Sequence, residues 1–234
     1  MSYTIPIGPY HPSLEEPVHA RLTVDGEQIT DAKVFIGYNH RGIEKLAQER
    51  NFIQTDVLVE RVCGICSHSH TMTYAMCVEH IAGMEVPKRG QYIRVIISEL
   101  ERIHSHLLWL GIACHIIGHD SLFMHSWNDR ERTMDLLEAI TGNRVNYAMN
   151  TIGGARRDID DAKRKMILET LDDLVVKMEP LTSFLTNDKT VAMRTQGVGV
   201  LTTEDAIRIG AVGPQRACVR SGHRRAPGCA LHKL

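Results

Sequence analysis

The chain has almost no net charge. Its 27 Lys and Arg against 28 Asp and Glu give a net charge of −1, which offers no argument for nucleic acid or for an anionic membrane surface. Long apolar runs are missing too: no window reaches the ~20 apolar residues of a spanning helix. The first residues, Met1-Ser2-Tyr3-Thr4-Ile5-Pro6, lack a charged region followed by an apolar one, so nothing reads as a secretion leader. A cytoplasmic protein is the expectation, held at a membrane only through partners. No internal repeat, low-complexity linker or domain boundary is visible. Without a leader, the six cysteines are expected to be reduced thiols or metal ligands rather than a disulfide framework.

With 234 residues, 43% of them hydrophobic, the chain can bury a sizeable core. Val18 to Val24 and Ile29 to Ile36 alternate around Asp25-Gly26, which predicts a hairpin and the only substantial sheet. Gly8-Pro9 and His11-Pro12 ahead of it read as an extended loop. Helices are predicted over Ile43–Arg50, from Ser67 to near Gly83, and over Arg130–Ile140 with Asn128-Asp129 as its cap. Two more are predicted over Asp160–Met178, stopped by Pro180, and from Thr202 to Ile209. Ile93, Ile96, Leu100, Ile103, Leu107, Leu110, Cys114 and Ile117 recur in steps of three and four, the apolar face of a long bundle helix. Cys77 and Cys114 are expected in the core. His104, His106 and His115 are expected to be structural or solvated, since 104 and 106 point to different sides of a helix. The fold class is mainly α, a helical bundle with a small N-terminal β-hairpin.

The chemistry concentrates in Arg61-Val62-Cys63-Gly64-Ile65-Cys66, followed by His68 and His70. Two thiolates in C-x-x-C spacing can grip one metal ion, and Gly64 lets the backbone come close. Structural zinc and a thioredoxin-like dithiol use the same spacing. Zinc would want a second ligand pair, yet Cys77, Cys114, Cys218 and Cys229 form no further C-x-x-C. A dithiol enzyme would want a strand before the motif and a βαβ unit around it, whereas Cys66 leads into a helical pattern. Arg61 places a fixed positive charge where it would favour thiolates. The pair reads as half of a site completed elsewhere.

The run Arg61 to His70 resembles the N-terminal cysteine motif, R-x-C-G-x-C-x-x-x-H, of the large subunit of nickel-iron hydrogenases. The surrounding chain is similar to the membrane-bound, energy-converting (group 4) branch, a relative of the 49 kDa quinone-site subunit of respiratory complex I. Gly8-Pro9-Tyr10-His11-Pro12, Arg41-Gly42-Ile43-Glu44, Glu85-Val86-Pro87-Lys88-Arg89 and Gly153-Gly154 follow the family's order. The resemblance implies reversible heterolytic cleavage of H2 at a nickel-iron centre whose iron carries carbon monoxide and cyanide. By motif match Cys63 would be a terminal nickel ligand and Cys66 would bridge nickel and iron, with Arg61 and His70 orienting and tuning them. Glu16, beside Glu15, would pass protons, and Glu44 would bind magnesium. Implied partners are an iron-sulfur small subunit, membrane ion-translocating subunits at the cytoplasmic face and hydrogenase maturation proteins.

The sequence departs from the family in one respect: it contains no D-P-C-x-x-C, the source of the other two nickel thiolates. Residues 1–215 read as the N-terminal part of a hydrogenase large-subunit domain. Residues 216–234 are crowded with Arg, Gly and Cys without helical or strand period. Back-translated with G+C-rich codons and read one nucleotide later, that segment resembles what the family has after its Gly-Pro, so a frameshift is expected. The alternatives are a complex I-like NADH-quinone oxidoreductase subunit binding quinone or NAD, and an inactive fragment that only docks.

Overall fold

Asp25-Gly26 does close a hairpin in the computed structural model, which describes residues 2–12, 14 and 16–212. The reading of residues 216–234 lies outside the described residues, as does Glu15. The chain packs as two compact units, Met1–Leu58 and Val59–Leu234. In the first, β1 (Ser2–Ile7), β2 (His19–Asp25) and β3 (Gln28–Phe35) form one antiparallel sheet in that order, with Asp25 paired to Gln28 across the turn. The third strand is a correction to the two-stranded expectation. Pro6 is tolerated in β1 because that strand lies at the edge of the sheet, where a missing N–H costs no ladder bond. Helices α1 (Ile43–Gln48) and α2 (Phe52–Val59) follow; Gln54 and Asn51 exchange hydrogen bonds at the start of α2, a box the sequence reading missed.

The second unit begins with the cysteine loop and α3 (Ser67–Ala82), which ends at Gly83 as predicted. Its buried residues, Ser67, His68, Thr71, Ala75 and Glu79, form one stripe. Cys77 lies off that stripe and is exposed, correcting the expectation of core packing. The long helix α4 (Lys88–Ile116) buries Ile93, Leu100, Leu107 and Cys114 of the expected face, with Ile97 buried in place of Ile96, which is half-buried beside it. His104 is buried on that face, while His106 and His115 are exposed. Gly118, at φ 81, ends the helix: its N–H reaches the His115 carbonyl and that of His119 reaches Cys114, a Schellman pair.

That stop lets α5 (Asp120–Thr141) begin with His119 as its N-cap residue, well before the expected cap at Asn128-Asp129. Asp129 mimics a cap in sequence because it is polar for another reason: it is buried mid-helix, with the Lys177 ammonium 4.0 Å away. A two-residue ladder, β4 (Asn150–Thr151) with β5 (Gly154–Ala155), turns at Gly153. Helix α6 (Asp161–Asn187), capped by Asp160, runs through Pro180 instead of stopping there. An interior proline costs about 3 kcal/mol. Leu181, Met178, Phe184 and Leu185 pack against Cys114 and Leu122 around it, and burial at roughly 1.5–3 kcal/mol per fully buried side chain offsets that cost. Helices α7 (Lys189–Thr195), absent from the sequence reading, and α8 (Thr203–Arg208), capped by Thr202 as predicted, complete the described chain. The main core joins Ile93, Ile97 and Leu100 of α4 to Leu136, Leu137 and Ile140 of α5, to Tyr147 and Met149 after it, and to Ile167 of α6.

Helices α4 and α5 come close at Gly111. A Cβ there would lie 2.4 Å from Trp127 Cδ1 and 2.6 Å from its Nε1. Gly111→Ala is expected to destabilise the protein by about 1–3 kcal/mol, as overpacking does. Thermal denaturation checks this; an unchanged midpoint would mean that the indole moves aside freely.

Candidate metal centre at the cysteine loop

Cys63, Gly64, Ile65 and Cys66 form an irregular loop running straight into α3, with Cys66 as the N-cap residue. Both thiols are free and half-buried. The Ile65 N–H points at Cys63 Sγ, 3.4 Å away, and the Cys66 thiol hydrogen-bonds the Cys63 sulfur. Burial raises Cys63, but the Cys66 thiol and the Ile65 and Cys66 N–H groups outweigh it and leave that thiol below its ordinary value. Burial, the bond to Cys63 and that neighbour's charge push Cys66 up to about 12. Of the two, Cys63 is therefore the more readily ionised thiol. Arg61 stands at the loop's entrance, half-exposed, with its guanidinium 2.6 Å from the Glu60 carboxylate.

Cys66 gives the helix no side-chain cap. Glu101 does so from α4: its Oε1 accepts the His68 N–H at 2.6 Å, and its Oε2 accepts the Ser69 N–H at 3.1 Å and the Ser69 hydroxyl at 2.7 Å. Burial pushes the Glu101 carboxyl up, against those three bonds. Ser67 Oγ donates to the Val145 carbonyl, tying the same turn to the segment after α5. His68 bonds the Arg94 carbonyl through Nε2, at 2.9 Å. A carbonyl only accepts, so Nδ1 is the acceptor that faces the Asn150 amide at 3.1 Å. His104 Nδ1 accepts from Arg130 at 3.4 Å, and its Nε2 lies 2.9 Å from Tyr147 Oη. Behind them Arg94 meets Glu79 in an ion pair whose side chains are only 5% and 6% exposed. Arg94 donates to the Thr151 and Gly154 carbonyls while Glu79 accepts the Gly153 N–H, so the pair also holds the Gly153-Gly154 turn.

The structure thus brings Cys63 and Cys66 together, with Arg61 in the preceding turn and His70 half-buried in the first turn of α3. Glu16 and Glu44 belong to the other unit: Glu16 is exposed and accepts from Asn39 Nδ2 at 3.0 Å, and Glu44 is exposed in the first turn of α1. Among the described residues no group of three or more His, Cys, Asp or Glu is arranged to hold a metal. Two free, adjacent, soft donors fit a nickel site as half of its ligand set. Sequence reasoning missed Glu60, which accepts the Ala148 N–H, and Glu101. The available signal for Glu101 was an acid one position from Leu100, inside the apolar face of α4.

Buried histidines make this region acid-sensitive. Burial, with the charge of Arg94 nearby, lowers His68 to about 4, and burial with Arg130 lowers His104 to about 4, from an ordinary 6.5. Between those values the unfolded chain binds the extra protons, so stability is complete above pH 6.5 and is lost toward pH 4. The expected loss is roughly 1.4 kcal/mol per pH unit per histidine. Denaturant unfolding across that window checks it: His104→Gln should flatten the acid limb, and an unaltered slope would refute the assignment.

Against known families, residues 117–225 match the model described as respiratory-chain NADH dehydrogenase, 49 Kd subunit, and residues 41–119 match that of nickel-dependent hydrogenase. The chain is 49% identical over 210 residues to the membrane-bound hydrogenase subunit alpha of Pyrococcus furiosus, covering 90% of this chain and 49% of that protein. It is 46% identical over 215 residues to the carbon monoxide-induced hydrogenase of Rhodospirillum rubrum, covering 91% and 59%. The chain therefore spans about half the length of these curated relatives. A solved structure of the membrane-bound sulfane sulfur reductase, an archaeal respiratory membrane complex, contains a chain that superposes with a TM-score of 0.83 at 29% identity, over 97% of this chain and 62% of that one. No helix among the described residues is long and apolar enough to cross a membrane. Two adjoining family matches, these relatives and the shared fold lead to one conclusion: the chain belongs to the family that unites nickel-dependent hydrogenase large subunits with the 49 kDa subunits of respiratory NADH dehydrogenase.

Proposed function

We propose that this chain serves a hydrogen-converting, membrane-associated complex and supplies half of its nickel-iron site. The observation that carries this reading is the pair of free thiols, Cys63 and Cys66, hydrogen-bonded to one another in a loop anchored from behind. Quinone recognition needs hydrogen-bond donors for two carbonyls and has no use for paired thiols. Cys63 and Cys66 would hold the metal group through their sulfurs, the remaining ligands coming from outside the described residues. When bound, the nickel-iron group, its iron carrying carbon monoxide and cyanide, supplies the place where H2 is split heterolytically, releasing two protons and two electrons.

The chain's own residues do the rest. The second thiol loses its proton when the cation arrives, and Arg61 and His70 orient the loop at its two ends. Glu16 exchanges protons with the site, as an exposed carboxylate with one amide partner can. Glu44, in the first turn of α1, contributes to a magnesium site. Electrons pass to an iron-sulfur small subunit, ion-translocating subunits hold the complex at the cytoplasmic face of the membrane, and maturation proteins insert the metals. A second reading, a complex I-like subunit binding quinone or NAD, draws support from the NADH dehydrogenase match over residues 117–225.

Metal analysis of the assembled complex separates the two. Cys63→Ser and Cys66→Ser should abolish bound nickel and H2-dependent dye reduction, whereas Cys77→Ser should change neither. A parent complex free of nickel but active in quinone reduction would establish the second reading. Glu16→Gln should keep the nickel and slow hydrogen turnover by about 10²–10⁴-fold, the usual contribution of a positioned acid or base. An undiminished rate would remove Glu16 from the proton route.

A further inference from the structure

Helix α4 carries two polar side chains one turn apart on its buried face, Glu101 and His104, exposed by 2% and 0% respectively. Glu101 reaches forward to the cysteine loop. Glu101 takes the N–H groups of His68 and Ser69, which a capping side chain at Cys66 would otherwise take. A thiol is a poor cap and a good ligand, so moving the capping task to another helix leaves the Cys66 sulfur uncommitted. His104, one turn on, meets Arg130 and Tyr147 instead. The Glu101 anchor therefore fixes the backbone just after Cys66. A carboxylate at a helix N-terminus is also favoured by the macrodipole, which strengthens this anchor.

We infer that Glu101 is a positioning residue that holds the Cys66 sulfur in place for metal, through the N-terminus of α3. The inference rests on the reading of Cys63 and Cys66 as nickel ligands. It adds that the geometry of the second thiolate is set from α4 rather than by the loop's own sequence. Gly64 and Ile65 supply no side-chain hydrogen bond, so a loop released from α4 keeps its thiols but not their mutual placement.

The test uses the whole complex, prepared from nickel-replete and nickel-starved cells. In the nickel-starved complex, iodoacetamide labelling of each cysteine is followed by mass spectrometry, with exposed Cys77 as the reactive reference and buried Cys114 as the reporter of an intact core. In the replete complex, nickel content and its electron paramagnetic resonance signal are recorded. Glu101→Gln should leave Cys114 protected, raise Cys66 labelling relative to Cys77, and weaken nickel binding by about 10- to 100-fold, the usual effect of losing a group that orients a ligand. The signal of the remaining nickel should change shape, which a mere loss of folded protein would not produce. If Cys114 becomes reactive in Glu101→Gln, the decision passes to Ser69→Ala, which removes the hydroxyl bond of the clamp and should give the same changes at smaller size. Parental labelling, nickel content and signal in a folded Glu101→Gln, or in Ser69→Ala, would overturn the inference. A parent complex without nickel would overturn the ligand reading instead, and the labelling of Cys66 would still report whether the clamp exists.

Discussion

The buried Arg94–Glu79 pair is the contact from which the second unit is arranged. Two charges that are 5% and 6% exposed persist in an apolar interior only if their remaining donors and acceptors are met. Here they are met by backbone groups of one short turn: the Thr151 and Gly154 carbonyls and the Gly153 N–H. The carboxyl of Glu79 is held below its ordinary value chiefly by the Arg94 guanidinium. One ion pair thus joins α3, α4 and the β4–β5 turn, and fixes where α3 lies against α4. Everything in the cysteine loop follows from that placement.

The same helix face repeats the device toward the thiols. Arg94, Glu101 and His104 interrupt the apolar stripe of Ile93, Ile97, Leu100 and Leu107. Arg94 donates to the Thr151 and Gly154 carbonyls, Glu101 closes the N-terminus of α3, and His104 meets Arg130 and Tyr147. A hydrophobic face alone could slide by a fraction of a turn; directional bonds from three polar residues allow one register. Rigid placement of two sulfurs is what a multi-thiolate metal centre demands, because a ligand displaced by an ångström no longer closes the coordination shell.

Acid sensitivity follows from the same construction. His68 and His104 serve as neutral rings with defined donor and acceptor nitrogens. Protonating either would turn an acceptor that faces Asn150 or Arg130 into a donor. The network that positions the loop is therefore intact near neutral pH and fails first on the acid side.

Much of this protein is determined by its sequence alone. The C-x-x-C motif with Arg61 and His70, the hairpin at Asp25-Gly26, the stop at Gly83, the cap at Thr202 and the apolar face of α4 are all local patterns. Local spacing encodes them because helix and strand periodicity and turn chemistry act over a few residues. Tertiary structure decided the rest. Pro180 stays inside α6 because Leu181 and Phe184 gain a core beyond it. Asp129 is a buried partner of Lys177 rather than a cap, and Pro6 is tolerated because β1 forms an edge. Glu101 caps a helix that begins more than thirty residues earlier in the chain. No periodicity reports which carboxylate will meet which N–H across such a separation, since that pairing exists only once α3 and α4 have packed.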